Sequence, residues 1–218
     1  MKQLNPDKQF YGFTLQTRRH FHDENIIKQC LGGDPYRIPN NANIVVDIGS
    51  NIGATVLSAL SKGAKLIYAF EPFSQSFQVL KHNIEVNGFS DKVVCIQKGV
   101  GKPDRQTKLF LHPSNSGAIS SYLTQKGLTA ENYETVEFIS IHNVFDLYDI
   151  KHCDLLKMDC ENSEYDIIHD LDDELASRIA KISVEFHDKH KVKELVDKLS
   201  QWYIPNNVHR YEWVFKRK

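Results

Sequence analysis

The chain has 218 residues, 41% of them hydrophobic and 25% charged, with a formal net charge of -1. That suits one globular domain with a sizeable core and supplies no global field to recruit nucleic acid or an anionic membrane. No apolar run approaches the roughly 20 residues that cross a bilayer. The first residues lack the apolar stretch of a signal peptide. Four scattered cysteines, Cys30, Cys95, Cys153 and Cys160, read as reduced thiols of a cytoplasmic protein, two or three of them buried in strands, with no disulfide or zinc pattern.

Residues 1–42 are mixed. Phe10, Tyr11 and Phe13 fit a short strand, and Ile26, Ile27 and Leu31 fit a helical face that stops at Gly32-Gly33. The segment is expected to cover the sheet and help close a site. From 43 to 218 the rhythm is more regular. Strand 44–48 leads to helix 52–62, with Gly63 as C-cap. Strand 65–70 leads to helix 74–87, with Ser74 as N-cap and Asn87-Gly88 as its stop. Strand 92–97 follows.

A polar insertion over about 101–142 interrupts, with strands at 108–111 and 136–141 around a Ser-rich stretch. Loops of that length inside a compact domain are often functional. The pattern then resumes with helix 143–148, strand 154–158, a helix capped by Ser163, strand 179–186 and helix 190–200. The end, Tyr203-Ile204 and Tyr211 to Phe215, reads as a hairpin turning at Pro205-Asn206-Asn207. Repeated strand–helix units predict an α/β, doubly wound, mostly parallel sheet with helices on both faces and an antiparallel edge.

The first strand ends in Asp47-Ile48-Gly49-Ser50-Asn51-Ile52-Gly53. Such a turn exposes bare backbone and aims a helix N-terminus at a ligand. It is not the Gly-x-Gly-x-x-Gly of dinucleotide dehydrogenases, because Asn51 stands where the middle glycine would be. Asp47 beside it would repel a pyrophosphate and suits a ligand with a cationic end. S-adenosyl-L-methionine, with its amino group and sulfonium, is such a ligand. Glu71, at the tip of the next strand, is placed to accept from ribose hydroxyls. The expected cofactor set is Asp47, Gly49, Ser50, Asn51, Gly53, Glu71 and Pro72, with Gly99, Val100 and Asp159.

These stretches resemble the class I S-adenosylmethionine-dependent methyltransferases, and among them the FkbM family. The resemblance rests on Val46 to Gly53, Ala69-Phe70-Glu71-Pro72, Asn115 to Ser121, Leu156 to Glu164, and Val184-Glu185-Phe186-His187. Asn162 departs from the family's glycine. The resemblance implies a Rossmann-like sheet of seven strands in the order 3-2-1-4-5-7-6, the last antiparallel. It also implies methyl transfer, often to an oxygen of a small molecule or sugar.

In that topology Asp159, Glu185 and His187 meet beside the glycine turn, and they are the catalytic candidates. Asp159 or His187 is the expected base for a hydroxyl acceptor. Asp159 holding only the donor's amino group is the competing reading. No metal ligand is assigned; magnesium on the acids is the lesser reading. Asp34-Pro35-Tyr36 superficially resembles an adenine N-methyltransferase motif but stands before the glycine turn rather than after strand four, and reads as a decoy. A small-molecule acceptor is expected. RNA methylation, an NAD-dependent oxidoreductase and a non-catalytic nucleotide-binding module remain as alternatives, and the oligomeric state is left open.

Overall fold

The structure, a computed structural model, describes residues 4–19, 21–102, 106–111, 119–120 and 133–218. The strands are β1 (Lys8–Phe10), β2 (Phe13–Leu15), β3 (Ile44–Ile48), β4 (Leu66–Phe70), β5 (Val93–Ile96), β6 (Gly99–Val100), β7 (Gln106–Leu111), β8 (Ile119–Ser120), β9 (Tyr133–Ile139), β10 (Leu155–Met158), β11 (Lys181–Glu185), β12 (Tyr203–His209) and β13 (Glu212–Arg217). The helices are α1 (Asp23–Gly33), α2 (Ala54–Ser61), α3 (Ser74–Val86), α4 (Ile141–Leu147), α5 (Glu164–Asp170), α6 (Asp173–Ser177) and α7 (Val192–Leu199). No described helix is long and apolar enough to cross a membrane.

The main sheet runs β12-β13-β11-β10-β3-β4-β5. Counting its strands along the chain gives the expected order 3-2-1-4-5-7-6, with β13 antiparallel to its neighbours. Central strands of a parallel sheet are covered on both faces, which is why β3 and β10 read as apolar runs. One apolar cluster lies on each face, the first built on Val46, Phe70, Leu156 and Ile182, the second on Val45, Ile67, Val56 and Leu57. Leu15, Ile27, Cys30 and Tyr36 of the N-terminal segment belong to the second cluster, so this segment is part of the core. The chain crosses over between β3 and β10, and a crevice opens above their C-terminal ends. Within the insertion, β6, β9, β7 and β8 form a small side sheet.

Several local expectations are revised; Ser163 precedes α5 but makes no side-chain cap bond to it. The final hairpin turns later, at Arg210-Tyr211, and Pro205 lies within β12, an edge strand, where its missing N–H costs no ladder bond. Ser74 does not cap α3 with its side chain; its N–H and hydroxyl instead donate to Glu134 of β9. Of the cysteines only Cys95 lies in a named strand, and only Cys30 and Cys153 are buried. Burial pushes those two thiols up to about 11 and about 12, so they are inert. The Ser-rich stretch lies outside the described residues apart from β8.

Candidate active site

β3 and β10 pair in parallel with Asp47 opposite Lys157. Side chains at paired positions share a sheet face. Lys157 Nζ therefore lies 2.9 Å from Asp47 Oδ1, with both side chains almost fully buried. The same Nζ donates to the Gly49 carbonyl at 2.8 Å. Burial disfavours the ammonium, but the charges of Asp47 and Asp159 outweigh it and hold Lys157 protonated. The sequence expectation set Asp47 against the ligand, but it is not among the residues that line the cleft: its Oδ1 pairs with Lys157, and its Oδ2 is buried without a hydrogen-bond partner.

The turn takes left-handed backbone at Gly49 (φ 80°), Asn51 (φ 50°) and Gly53 (φ 90°). A Cβ on Gly49 would collide with the carbonyl oxygen of Asp159, so only glycine lets β3 and β10 end this close together. Asn51 keeps the left-handed backbone that a glycine would have, as asparagine can. Its N–H donates to Glu71 Oε2 at 2.8 Å, and its side-chain oxygen accepts from Arg18 at 2.7 Å. Gly53 does not line the cleft either. A Cβ there would stand 2.8 Å from Leu80 Cδ1, so this glycine serves the packing of α2 on α3.

Glu71 is buried at the tip of β4 and accepts from the N–H groups of Asn51 and Phe73. Burial pushes its carboxyl up to about 7, against the pull of those bonds and of Arg18. Each carboxylate oxygen retains a second lone pair for a ligand hydroxyl.

A cleft of about 480 Å³ opens above these strand ends. Gly49, Ser50, Asn51, Glu71, Pro72, Gly99 and Val100 line it, and Phe70, Leu109 and Phe138 add apolar walls. Asp159, Glu161, Glu185, His187 and Glu212 line it as well, Asp159 beside the glycine turn. Glu212 lies directly opposite Glu185 in the β11–β13 register. Nothing in the sequence signalled it, because that pairing depends on the hairpin's position.

His187 Nδ1 donates to Glu164 Oε1 at 2.8 Å. Its Nε2 faces Asp159 Oδ1 at 3.5 Å and Glu161 Oε1 at 3.9 Å. Burial opposes a charged imidazole, yet Glu164, Glu161 and Asp159 together raise it to about 10. Held so high, His187 carries its proton near neutrality and is poorly suited to take one from an acceptor. Burial pushes Glu161 up to about 8 and raises Glu185 as well, the latter aided by Asp159. Ligand atoms of Asp159, Glu185 and His187 come within 4.8 Å of one another, as metal ligands do. A cation there must first expel the imidazolium proton.

The N-terminal segment also reaches the cleft. Tyr36, dismissed with its neighbours as a decoy motif, donates its hydroxyl to Asp159 Oδ2 at 2.6 Å. Arg18 is buried and binds Asp23, Asn51 and Ser76.

A doubly wound sheet of this order, with a glycine turn after its first central strand and an acid at the tip of the next, defines a class I methyltransferase. The methyltransferase FkbM domain matches residues 47–211, and the chain belongs to that family of S-adenosylmethionine-dependent enzymes. It is 29% identical over 184 residues to Methyltransferase 1 of Beauveria bassiana, covering 77% of this chain and 72% of that protein. The structure of a methyltransferase FkbM from Methylobacillus flagellatus shares the fold at a TM-score of 0.59 and 15% identity, covering 87% of this chain and 47% of that one. The ribosomal protein L11 methylase of Lactobacillus delbrueckii shares it at 0.51 and 14% identity, covering 88% and 79%. This chain thus spans about half the length of the Methylobacillus protein.

Proposed function

We propose that the protein transfers a methyl group from S-adenosyl-L-methionine to a hydroxyl oxygen of a small-molecule or sugar-type acceptor. One observation carries this reading: the glycine turn, the strand-tip acid Glu71 and the partly open carboxylate of Asp159 share one confined cleft. The donor supplies a methyl carbon already activated by sulfonium. The cleft fits it, with bare backbone at Gly49 to Asn51, spare lone pairs on Glu71 and apolar walls for a base.

The chain's share of the chemistry is alignment and proton removal. Asp159 takes the acceptor's proton. His187, held cationic by Glu164, cannot accept one; it offsets the carboxylates around it and orients the acceptor oxygen as a donor. Glu185 narrows the acceptor end. No metal is required in this scheme.

The test has two stages. Calorimetry should detect S-adenosylmethionine and S-adenosylhomocysteine, and no NAD. Radiolabelled donor should then methylate members of a panel of sugars and small alcohols, with and without chelator. Asp159→Asn should bind donor yet lose roughly 10²–10⁴-fold in turnover. NAD binding without donor binding sinks the reading. Turnover that a chelator abolishes reassigns Asp159, Glu185 and His187 as metal ligands.

A further inference from the structure

Asp159 stands between two donors of unequal reach. Tyr36 Oη lies 2.6 Å from Oδ2, a short charge-assisted bond, whereas His187 Nε2 stays 3.5 Å from Oδ1, beyond a good hydrogen bond. That arrangement is unexpected from charge alone, since a carboxylate beside an imidazolium should close on it. Tyr36 is fixed independently of Asp159. Its carbonyl accepts from Ser183 Oγ on β11 at 2.6 Å, its ring lies 5.1 Å from Lys157 Nζ, and it is only 7% exposed. It also lies before the matched domain, in the segment that packs over the sheet.

We infer that Tyr36 is a positioning residue for methyl transfer: its hydroxyl holds Asp159 by Oδ2, keeps the carboxylate from collapsing onto His187, and leaves Oδ1 as the oxygen open to the acceptor. In the step this serves, the acceptor's oxygen–carbon bond forms as the carbon–sulfur bond breaks, its electron pair stays on sulfur, and the acceptor's proton passes to Oδ1. Without Tyr36 the acid pairs with the imidazolium and its proton-accepting oxygen is occupied. The inference rests on Asp159 acting as the base.

The groups facing Asp159 are Tyr36 and Cys30 from the N-terminal segment, Lys157 of β10, Cys160 and Glu161 from the turn, and Glu185 and His187 from the end of β11. Of the two proton donors at bonding or near-bonding distance, Tyr36 and His187, only Tyr36 lacks a charge to neutralise. That is why its loss should transfer Asp159 to the other.

The probe is the Nε2–H resonance of His187 in ¹⁵N-histidine-labelled protein at neutral pH, without acceptor. Tyr36→Phe keeps the ring and removes only the hydroxyl. The resonance should move downfield in Tyr36→Phe, as the Nε2–H bonds to Asp159, and return in Tyr36→Phe/Asp159→Asn. In the native protein the Tyr36 hydroxyl should itself give a downfield, slowly exchanging signal that Asp159→Asn removes, so a poorly folded Tyr36→Phe leaves a second measurement. An unmoved His187 resonance in folded Tyr36→Phe, or no such hydroxyl signal in the native protein, overturns the role of Tyr36. If Asp159→Asn meanwhile loses turnover, Tyr36 alone is wrong. Full turnover in Asp159→Asn overturns the base assignment and this inference with it.

Discussion

Charge balance sets the chemistry of single residues in this cleft. Burial pushes His187 toward losing its proton, but Glu164 grips one ring nitrogen while Glu161 and Asp159 face the other, and these groups raise the imidazole to about 10. A sequence shows a histidine with an intrinsic pKa suited to catalysis; it does not show the three carboxylates that remove that suitability. Glu71 shows the same balance with the opposite outcome. Burial raises it to about 7, which brings its titration into the neutral range in the donor-free protein. Ribose hydroxyls bind the ionised form better, since only that form offers both oxygens as acceptors without a proton of its own. Donor binding should therefore release a proton near pH 7 and tighten as pH rises from 6 to 8, and Glu71→Gln should weaken binding and flatten the profile. Calorimetry in buffers of different ionisation heat checks both; an unchanged slope in Glu71→Gln assigns the pH dependence elsewhere. The strand-tip residues were legible because an apolar run that stops at a glycine turn marks where a strand ends. The role of Asp47 was not, because its partner Lys157 is set by a crossover register more than 100 residues away.

Among the described residues, the turn after β10 alone places two successive non-glycine residues in the left-handed region. Glu161 and Asn162 are both left-handed, at φ 53° and 82°. Two such residues in succession swing the chain away from the sheet so that Glu161 faces the cleft and Glu164 can turn back. Glu164 Oε1 then accepts from the N–H of Cys160 at 3.0 Å as well as from His187. The family pattern carries glycine at position 162, and the φ of Asn162 explains why asparagine can replace it. Asn162→Val should cost about 1–2 kcal/mol, because a β-branched side chain clashes in this region, whereas Asn162→Gly should stay within about 0.5 kcal/mol of the native protein. Urea unfolding midpoints measure the difference, and equal midpoints for the two variants would mean the turn relaxes out of the left-handed region. The central strands and their flanking helices were legible to within a few residues, since their apolar periods are local, whereas the short α6 and β6 were not read and β1 and β2 were read as one strand. The final hairpin was misplaced because Pro and Asn are ordinary turn formers; only the edge position of β12 makes Pro205 acceptable inside a strand.

On the scale of the whole molecule, the N-terminal segment and the sheet make one site. Arg18 spans them. Its guanidinium and the Asp23 carboxylate are buried at 2.6 Å, and the same Nη2 reaches Asn51 of the glycine turn at 2.7 Å. Ser76 of α3 takes another of its N–H groups. No periodic pattern announces such a residue, because its partners lie 5, 33 and 58 positions away. Removing one member of a buried pair strands the other charge, so Arg18→Met should cost about 3–5 kcal/mol and weaken donor binding. Replacing both charges, in Arg18→Met/Asp23→Leu, should restore much of the stability, since well-packed apolar residues often match a buried ion pair. It should not restore donor affinity, because Asn51 still lacks the partner that fixes its side chain beside the donor's seat. Thermal denaturation and donor calorimetry on the single and double variants separate the two effects. Recovery of both in the double variant would reduce Arg18 to a structural strut. Recovery of stability alone shows that this segment shapes the cofactor turn as well as covering it.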